Sequence, residues 1–202
     1  MLMQLTEIRI AGFGGQGVIL ATQILGKAAA IHDGAHATMT QSFGPEARGG
    51  ACSAQLIISD EPVLYPYVTR ADVLVAMSQE AYTKFVREVK PGGLLLVEQD
   101  LVRIDHMPEN IRVYSIPATR IAEKIGKRVV QNIVMLGFFT AITKLVTAES
   151  LEKAVLGSVP GHLAEINRQA LQAGFEVGEI CLKQPHPTLE WENIPEFAAW
   201  VD

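Results

Sequence analysis

Short apolar runs and longer amphipathic stretches take turns along this chain. Residues 5–11 form the first apolar run and predict a strand. A glycine cluster follows, and residues 15–31 then read as a long helix. Val18, Ala21, Leu25 and Ala28 share one of its faces, and most of its other positions are apolar too, which predicts a buried helix. Asp33-Gly34 ends it. Residues 37–41 predict a second strand. The stretch 42–50 is polar, glycine-rich and interrupted by a proline, so it reads as a loop. Residues 51–59 alternate well enough for a third strand.

The second half keeps this rhythm. Residues 72–77, DVLVAM, are apolar almost throughout, the pattern of a central parallel strand. Ser78 stands where it caps the next helix, with Glu80 in the first turn. Pro91-Gly92-Gly93 reads as a turn into a strand at 94–97, and 112–116 predicts one more. After Pro117 the chain reads as helical almost to Lys183. Thr147 caps one of these helices, with Glu149 in its first turn. Leu163, Ile166, Ala170, Val177 and Cys181 trace an apolar stripe along the last. Strands alternating with helices predict an α/β fold: three α/β/α layers, a mostly parallel Rossmann-like sheet and a helical C-terminal third. Residues 1–183 are expected to form this domain. Residues 184–202, with three prolines and two tryptophans, read as an extended tail. Its Trp191, Phe197 and Trp200 are expected to dock on the domain or on a neighbouring subunit.

Composition narrows the function classes. A chain of 202 residues, 49% hydrophobic and 19% charged, has material for one full core; a domain of this size buries roughly 70% of its unfolded surface. A net charge of −5 argues against nucleic-acid binding, which draws on a basic field. No uncharged apolar run reaches the roughly 18 residues of a membrane span, so no membrane association is expected. The N-terminal MLMQLTEIRI lacks the basic and apolar regions of a secretory signal. Two isolated cysteines, Cys52 and Cys181, suit a reducing compartment, so a cytoplasmic location is expected.

Two segments carry candidate chemistry. Gly12-Phe13-Gly14-Gly15-Gln16-Gly17 satisfies G-x-G-x-x-G between a strand and a helix. Glycines let the backbone turn tightly and approach a ligand, and a helix N-terminus offers free N–H groups to an anion. The plain alternative is a tight crossover with no ligand. A dinucleotide site also asks for an acidic residue near the end of the second strand. That strand ends near Thr40, Gln41 and Ser42; Asp33 precedes it and Glu46 follows a proline, so the dinucleotide reading is disfavoured. The second segment is Gln41-Ser42-Phe43-Gly44-Pro45-Glu46-Ala47-Arg48-Gly49-Gly50. It sets a carboxylate and a guanidinium on a stiffened turn beside a Gly-Gly pair, at a strand's carboxyl end, where open α/β sheets place ligands. The plain alternative is a solvated ion pair.

Together the two segments resemble the gamma domain of the 2-oxoacid:ferredoxin oxidoreductases, the family of pyruvate, 2-oxoglutarate and ketoisovalerate ferredoxin oxidoreductases. The Ser78-Gln79-Glu80-Ala81 helix start, Ile116-Pro117-Ala118-Thr119 and Asn132-Ile133-Val134-Met135-Leu136-Gly137 add to the likeness, which spans residues 6 to 180 and leaves out the tail. The resemblance implies a cytoplasmic hetero-oligomer. It decarboxylates a 2-oxoacid, preferentially 2-oxoglutarate, on thiamine diphosphate. Electrons pass one at a time through iron–sulfur clusters to ferredoxin, and the acyl group goes to coenzyme A. This chain has no G-D-G thiamine motif and no set of four spaced cysteines, so thiamine diphosphate, magnesium and the clusters are expected on alpha, beta and ferredoxin-like delta partners. The chain alone is expected to be inactive. By the resemblance, Gly12, Gly14, Gly15, Gln16 and Gly17 cradle a phosphate of coenzyme A. Gln41, Ser42, Gly44, Pro45, Gly49 and Gly50 shape the substrate and coenzyme entrance, and Glu46 and Arg48 are the candidate catalytic residues.

Other residues are set aside. Cys52 reads as a small core residue. His32, His36, His106, His162 and His186 lack metal-ligand spacing, and no metal site is expected. Asn132 interrupts an apolar helix and reads as a helix-to-helix hydrogen bond. Ser78 and Gln79 read as a helix cap, and Lys127 and Arg128 as a solvated pair. Two other classes stay open: an independent nucleotide- or NAD-binding protein, and a structural subunit that binds no ligand.

Overall fold

The computed structural model describes residues 5–43, 51–105 and 109–183. Its sheet has six strands: β1 (Thr6–Phe13), β2 (His36–Phe43), β3 (Ala51–Ser59), β4 (Ala71–Ala76), β5 (Val89–Glu98) and β6 (Arg112–Ile116). They lie in the order β2-β3-β1-β4-β5-β6. β1, β4, β5 and β6 pair in parallel. β3 runs antiparallel to both β1 and β2, so β3 alone among these strands opposes the common direction. The apolar strands β4 and β5 are buried on both faces, as parallel strands flanked by helices must be.

Two apolar cores result. On one face Ile8, Ile10, Leu56, Val75 and Leu96 pack against α1 (Val18–Lys27), α3 (Ala118–Ile125), α4 (Gln131–Thr143), α5 (Ala148–Leu156) and α6 (Ala164–Lys183). On the other, Ala11, Leu74, Leu95 and Val97 meet Ala81, Tyr82 and Phe85 of α2 (Gln79–Phe85). The expected three-layer α/β/α fold is therefore present, with a helical C-terminal third. α4 is buried from Gln131 to Ala141. α6 packs directly on it: a Cβ added at Gly174 would overlap the Val134 carbonyl, and one at Gly137 the Leu171 carbonyl. Among the described residues no helix is long and apolar enough to cross a membrane.

Several boundaries differ from the sequence reading. The first helix starts at Val18, after the glycine turn, and continues as a π-turn over Ala28–His32. Asp33 N–H closes that turn on the Ala28 carbonyl at 3.0 Å. Gly34, at φ 75°, supplies the left-handed step into β2. The Asp33 carboxylate then accepts from Thr147 N–H (2.9 Å), Thr147 Oγ1 (2.9 Å) and Ser150 Oγ (2.6 Å), which ties this turn to the start of α5. Ser42, read as loop, lies in β2 and pairs with Ser53. Pro91-Gly92-Gly93, read as a turn before a strand, lies inside β5 as an irregularity, with Gly92 at φ 81° donating to the Asn110 carbonyl at 2.6 Å. The N-caps Ser78 and Thr147 are as expected: each hydroxyl accepts from the third residue on, at 3.2 Å.

Candidate functional site

The crossover from β1 leaves through α1 on one face of the sheet, and that from β4 leaves through α2 on the other. Neighbouring parallel strands whose crossovers part in this way open a crevice at their carboxyl ends. The glycine turn follows β1 on one side of this switch point, and the start of α2 at Ser78-Gln79 follows β4 on the other.

Gly12 is buried, while Gly14 and Gly15 are exposed. Gly15 (φ 97°) and Gly17 (φ 74°) both take the left-handed conformation. Gln16 closes the turn. Its Oε1 accepts from Phe13 N–H at 2.7 Å, and its Nε2 donates to the Met77 carbonyl at 2.8 Å. A Cβ at Gly12 would overlap Gln16 Oε1. At Gly17 a Cβ would overlap Asn132, whose Nδ2 donates to the Gly17 carbonyl at 3.3 Å. These two glycines thus have an internal cause. Gly15 alone of the three has open space where a Cβ would stand. No side chain caps α1, and no acidic residue lies in its first turn. Among the described residues, then, no acidic side chain stands in the first turn of α1 to oppose the positive end of its dipole.

The same edge collects other polar groups. The Gln79 side chain grips the backbone of Arg103, donating to its carbonyl at 3.2 Å and accepting its N–H at 2.6 Å. At the end of β5 the Glu98 carboxyl is fully buried. It accepts from Leu101 N–H (2.8 Å) and Thr119 N–H (3.0 Å). Burial pushes its pKa up, and these backbone N–H bonds offset only part of that. Thr119 Oγ1 passes a hydrogen bond to Gln131 Oε1 at 2.9 Å, and Gln131 directly precedes Asn132. A line of buried polar side chains thus runs from the exit of β5 to the glycine turn. Sequence reasoning missed Glu98, although a lone carboxylate closing the apolar run LLLVE was a readable signal.

Gln41 and Ser42 are exposed near the end of edge strand β2. Register aligns Phe43 with Cys52 and Cys52 with Gly12, so β2 ends, and β3 begins, at the edge that carries the glycine turn. Gly44, Pro45, Glu46, Arg48, Gly49 and Gly50 lie outside the described residues, as does the tail. Asn132 of α4 bonds the carbonyl of Gly17, the N-cap of α1, in line with the expected helix-to-helix hydrogen bond. Cys52 is buried in the strand, and burial pushes its thiol pKa up; that of Cys181 is pushed to about 12. Among the described residues no group of three or more His, Cys, Asp or Glu is arranged to hold a metal ion.

Residues 7–177 match the family model described as pyruvate ferredoxin/flavodoxin oxidoreductase. The chain belongs to this family. Among curated relatives, the 2-oxoglutarate synthase subunit KorC of Methanocaldococcus jannaschii is 53% identical over 175 residues, covering 86% of this chain and 94% of that one. Among solved structures, the gamma subunit of a keto/oxoacid ferredoxin oxidoreductase from Geobacter sulfurreducens superposes with a TM-score of 0.78 at 44% identity. That match covers 86% of this chain and 96% of the other. The 2-oxoglutarate:ferredoxin oxidoreductase of Magnetococcus marinus, solved with 2-oxoglutarate, coenzyme A and succinyl-CoA bound, shares the fold at a TM-score of 0.81 and 24% identity. There the chain covers 92% of its own length and 33% of the larger one. Within the oxidoreductase family the chain therefore corresponds to the gamma subunit along nearly that subunit's whole length.

Proposed function

We propose that this chain is the gamma subunit of a 2-oxoglutarate:ferredoxin oxidoreductase and that its glycine-turn edge faces coenzyme A in the assembled enzyme. The observation that carries the reading is the 53% identity to a 2-oxoglutarate synthase subunit over nearly that subunit's full length. The exposed Gly14-Gly15 turn at the uncapped start of α1 supports the coenzyme part, because a helix start without a side-chain cap offers main-chain N–H groups to a phosphate. Residues 1–183 form the working domain in this reading, and 184–202 a tail engaged with a partner.

Thiamine diphosphate, magnesium and iron–sulfur clusters belong to alpha, beta and delta partner chains, with ferredoxin as the external electron acceptor. When bound there, thiamine diphosphate supplies the carbanion chemistry of decarboxylation. The part of this chain is to bind and orient. The α1 terminus holds an anionic group of the coenzyme, and the β2–β3 connection shapes the entrance.

The test is purification of the complex with this chain tagged in its native source. Thiamine- and cluster-binding partners should co-purify. The complex should reduce ferredoxin with 2-oxoglutarate only when coenzyme A is present, while the chain alone should be colourless and inactive. A complex that prefers another 2-oxoacid would overturn the substrate assignment. Iron–sulfur absorbance in the isolated chain, or tight NAD binding by it, would overturn the subunit reading.

A further inference from the structure

Two amide side chains at the carboxyl edge spend their hydrogen bonds on the protein's own backbone. Gln16 uses both ends of its amide, on Phe13 N–H at 2.7 Å and on the Met77 carbonyl at 2.8 Å, while its own N–H donates to the Phe13 carbonyl at 3.2 Å. The last link between β1 and β4 inside the sheet is Met77 N–H to the Ala11 carbonyl at 2.8 Å. Gln16 adds a second link beyond it, across the mouth of the crevice. Asn132, 3% exposed, donates to the Gly17 carbonyl, which also accepts the first helical bond of α1, from Ala21 N–H at 2.8 Å. Asn132 therefore sets from α4 the point at which α1 begins. Its side chain also occupies the space that only a glycine at position 17 leaves open.

We propose that Gln16 and Asn132 are positioning residues of the coenzyme side. They touch no ligand and hold the glycine turn in the shape that presents its N–H groups. The inference rests on the coenzyme-facing reading of that turn. A side chain of Gln16's type is a natural ligand donor, yet both of its polar ends are already engaged. Recognition is thereby left to the main chain of the turn and of α1, whose direction these two amides fix. Preorganised donors of this kind act on coenzyme binding, because the turn is set before the ligand arrives. The chemistry on the partner's cofactor lies elsewhere and should be little affected.

The test uses the assembled complex. Gln16→Met and Asn132→Leu keep the approximate size of each side chain and remove its hydrogen bonds to the turn without adding a charge beside it. Steady-state kinetics are measured with coenzyme A and 2-oxoglutarate varied separately, alongside Tm and iron content. The expected result is a coenzyme A KM raised about tenfold or more, a kcat within about threefold of wild type and an unchanged 2-oxoglutarate KM. Gly15→Asp, which places a negative charge in the open turn, is measured beside them; an aspartate tolerates the left-handed conformation better than most residues. If Gly15→Asp raises the coenzyme A KM and the amide variants do not, the positioning role is overturned and the coenzyme-facing reading survives. If none of the three moves it, the reading itself fails and the inference with it. Amide variants that lower Tm, or that move kcat and both KM values together, would show a purely structural role and overturn the proposal. Should Asn132→Leu fail to assemble, Gln16→Met decides alone, since Gln16 is only half-buried.

Discussion

Gly15 and Gly17 are two residues apart, both left-handed, and differ in what surrounds them. A side chain at Gly15 meets open space, whereas one at Gly17 meets Asn132. Gly15→Ala should therefore cost only the backbone strain of a left-handed non-glycine residue, about 1 kcal/mol. Gly17→Ala adds a collision with a buried side chain and should cost about 2–4 kcal/mol in total. For a chain of this size about 2–4 °C of Tm corresponds to each kcal/mol, so thermal unfolding separates the two variants. Equal losses would mean that Asn132 yields freely. The motif was legible in the spacing of glycines, but its cause was not. Asn132 stands far from Gly17 in sequence, and nothing in a local pattern announces such a contact. The charged pair of the second segment allows a kinetic prediction at this scale. Arg48→Ala in the assembled complex should lower turnover or raise a KM by at least about tenfold, equivalent to about 1.4 kcal/mol. Kinetics with both substrates varied check it, and unchanged values would make Arg48 a solvated surface charge.

Helix α6 is drawn onto α4 by absence of side chains. Gly174 lies against the backbone of Val134 and Phe138, and Gly178 against Ala141. The two helices thus approach with main chain near main chain. Gly174→Ala should force them apart and cost at least about 2 kcal/mol, with more for Gly174→Leu, read by denaturant unfolding of the folded chain. A neutral Gly174→Ala would show that α6 shifts without penalty. Strand and helix types were readable because apolar periodicity encodes them directly. Their ends were less so. The helix that begins the domain ran three residues short of its expected start, because Gly15 and Gly17 are spent on a turn rather than on helix. Its π-turn depends on where Asp33 must arrive to meet Thr147 and Ser150, a constraint set by a segment far along the chain. Pro91-Gly92-Gly93 carried every sign of a turn, yet pairing on both sides keeps it inside a strand.

At the scale of the molecule, two carboxylates pull the pH dependence of stability in opposite directions. Burial alone would raise the Asp33 pKa, but the hydrogen bonds from Ser150 and Thr147 and the nearby His32 hold it below its ordinary value. The stability it contributes is complete above the unfolded value, about 3.9, and is lost as pH falls through its folded pKa. Glu98 is the reverse case: burial raises its pKa, so its contribution is complete below the unfolded value, about 4.3, and is lost as pH rises through the folded pKa. Asp33→Ala should therefore cost about 1–2 kcal/mol near neutral pH and progressively less in acid. Glu98→Gln should flatten the fall in stability just above the ordinary glutamate range. Urea unfolding between pH 3 and 8 checks both, and parallel pH profiles for either variant and wild type would refute its assignment. The layered fold, and the carboxyl edge of the sheet at which the glycine turn lies, followed from the order of strands and helices. The antiparallel β3 did not, because a parallel and an antiparallel neighbour present the same apolar alternation. The burial of α4 has a consequence for synthesis. A ribosome delivers α4 well before α6, and until α6 emerges a buried, largely apolar helix lacks the covering that α6 provides. The nascent domain is then sticky at its centre rather than at its margins. A chaperone acting on this subunit should hold it until α6 has been made, whatever the state of the sheet.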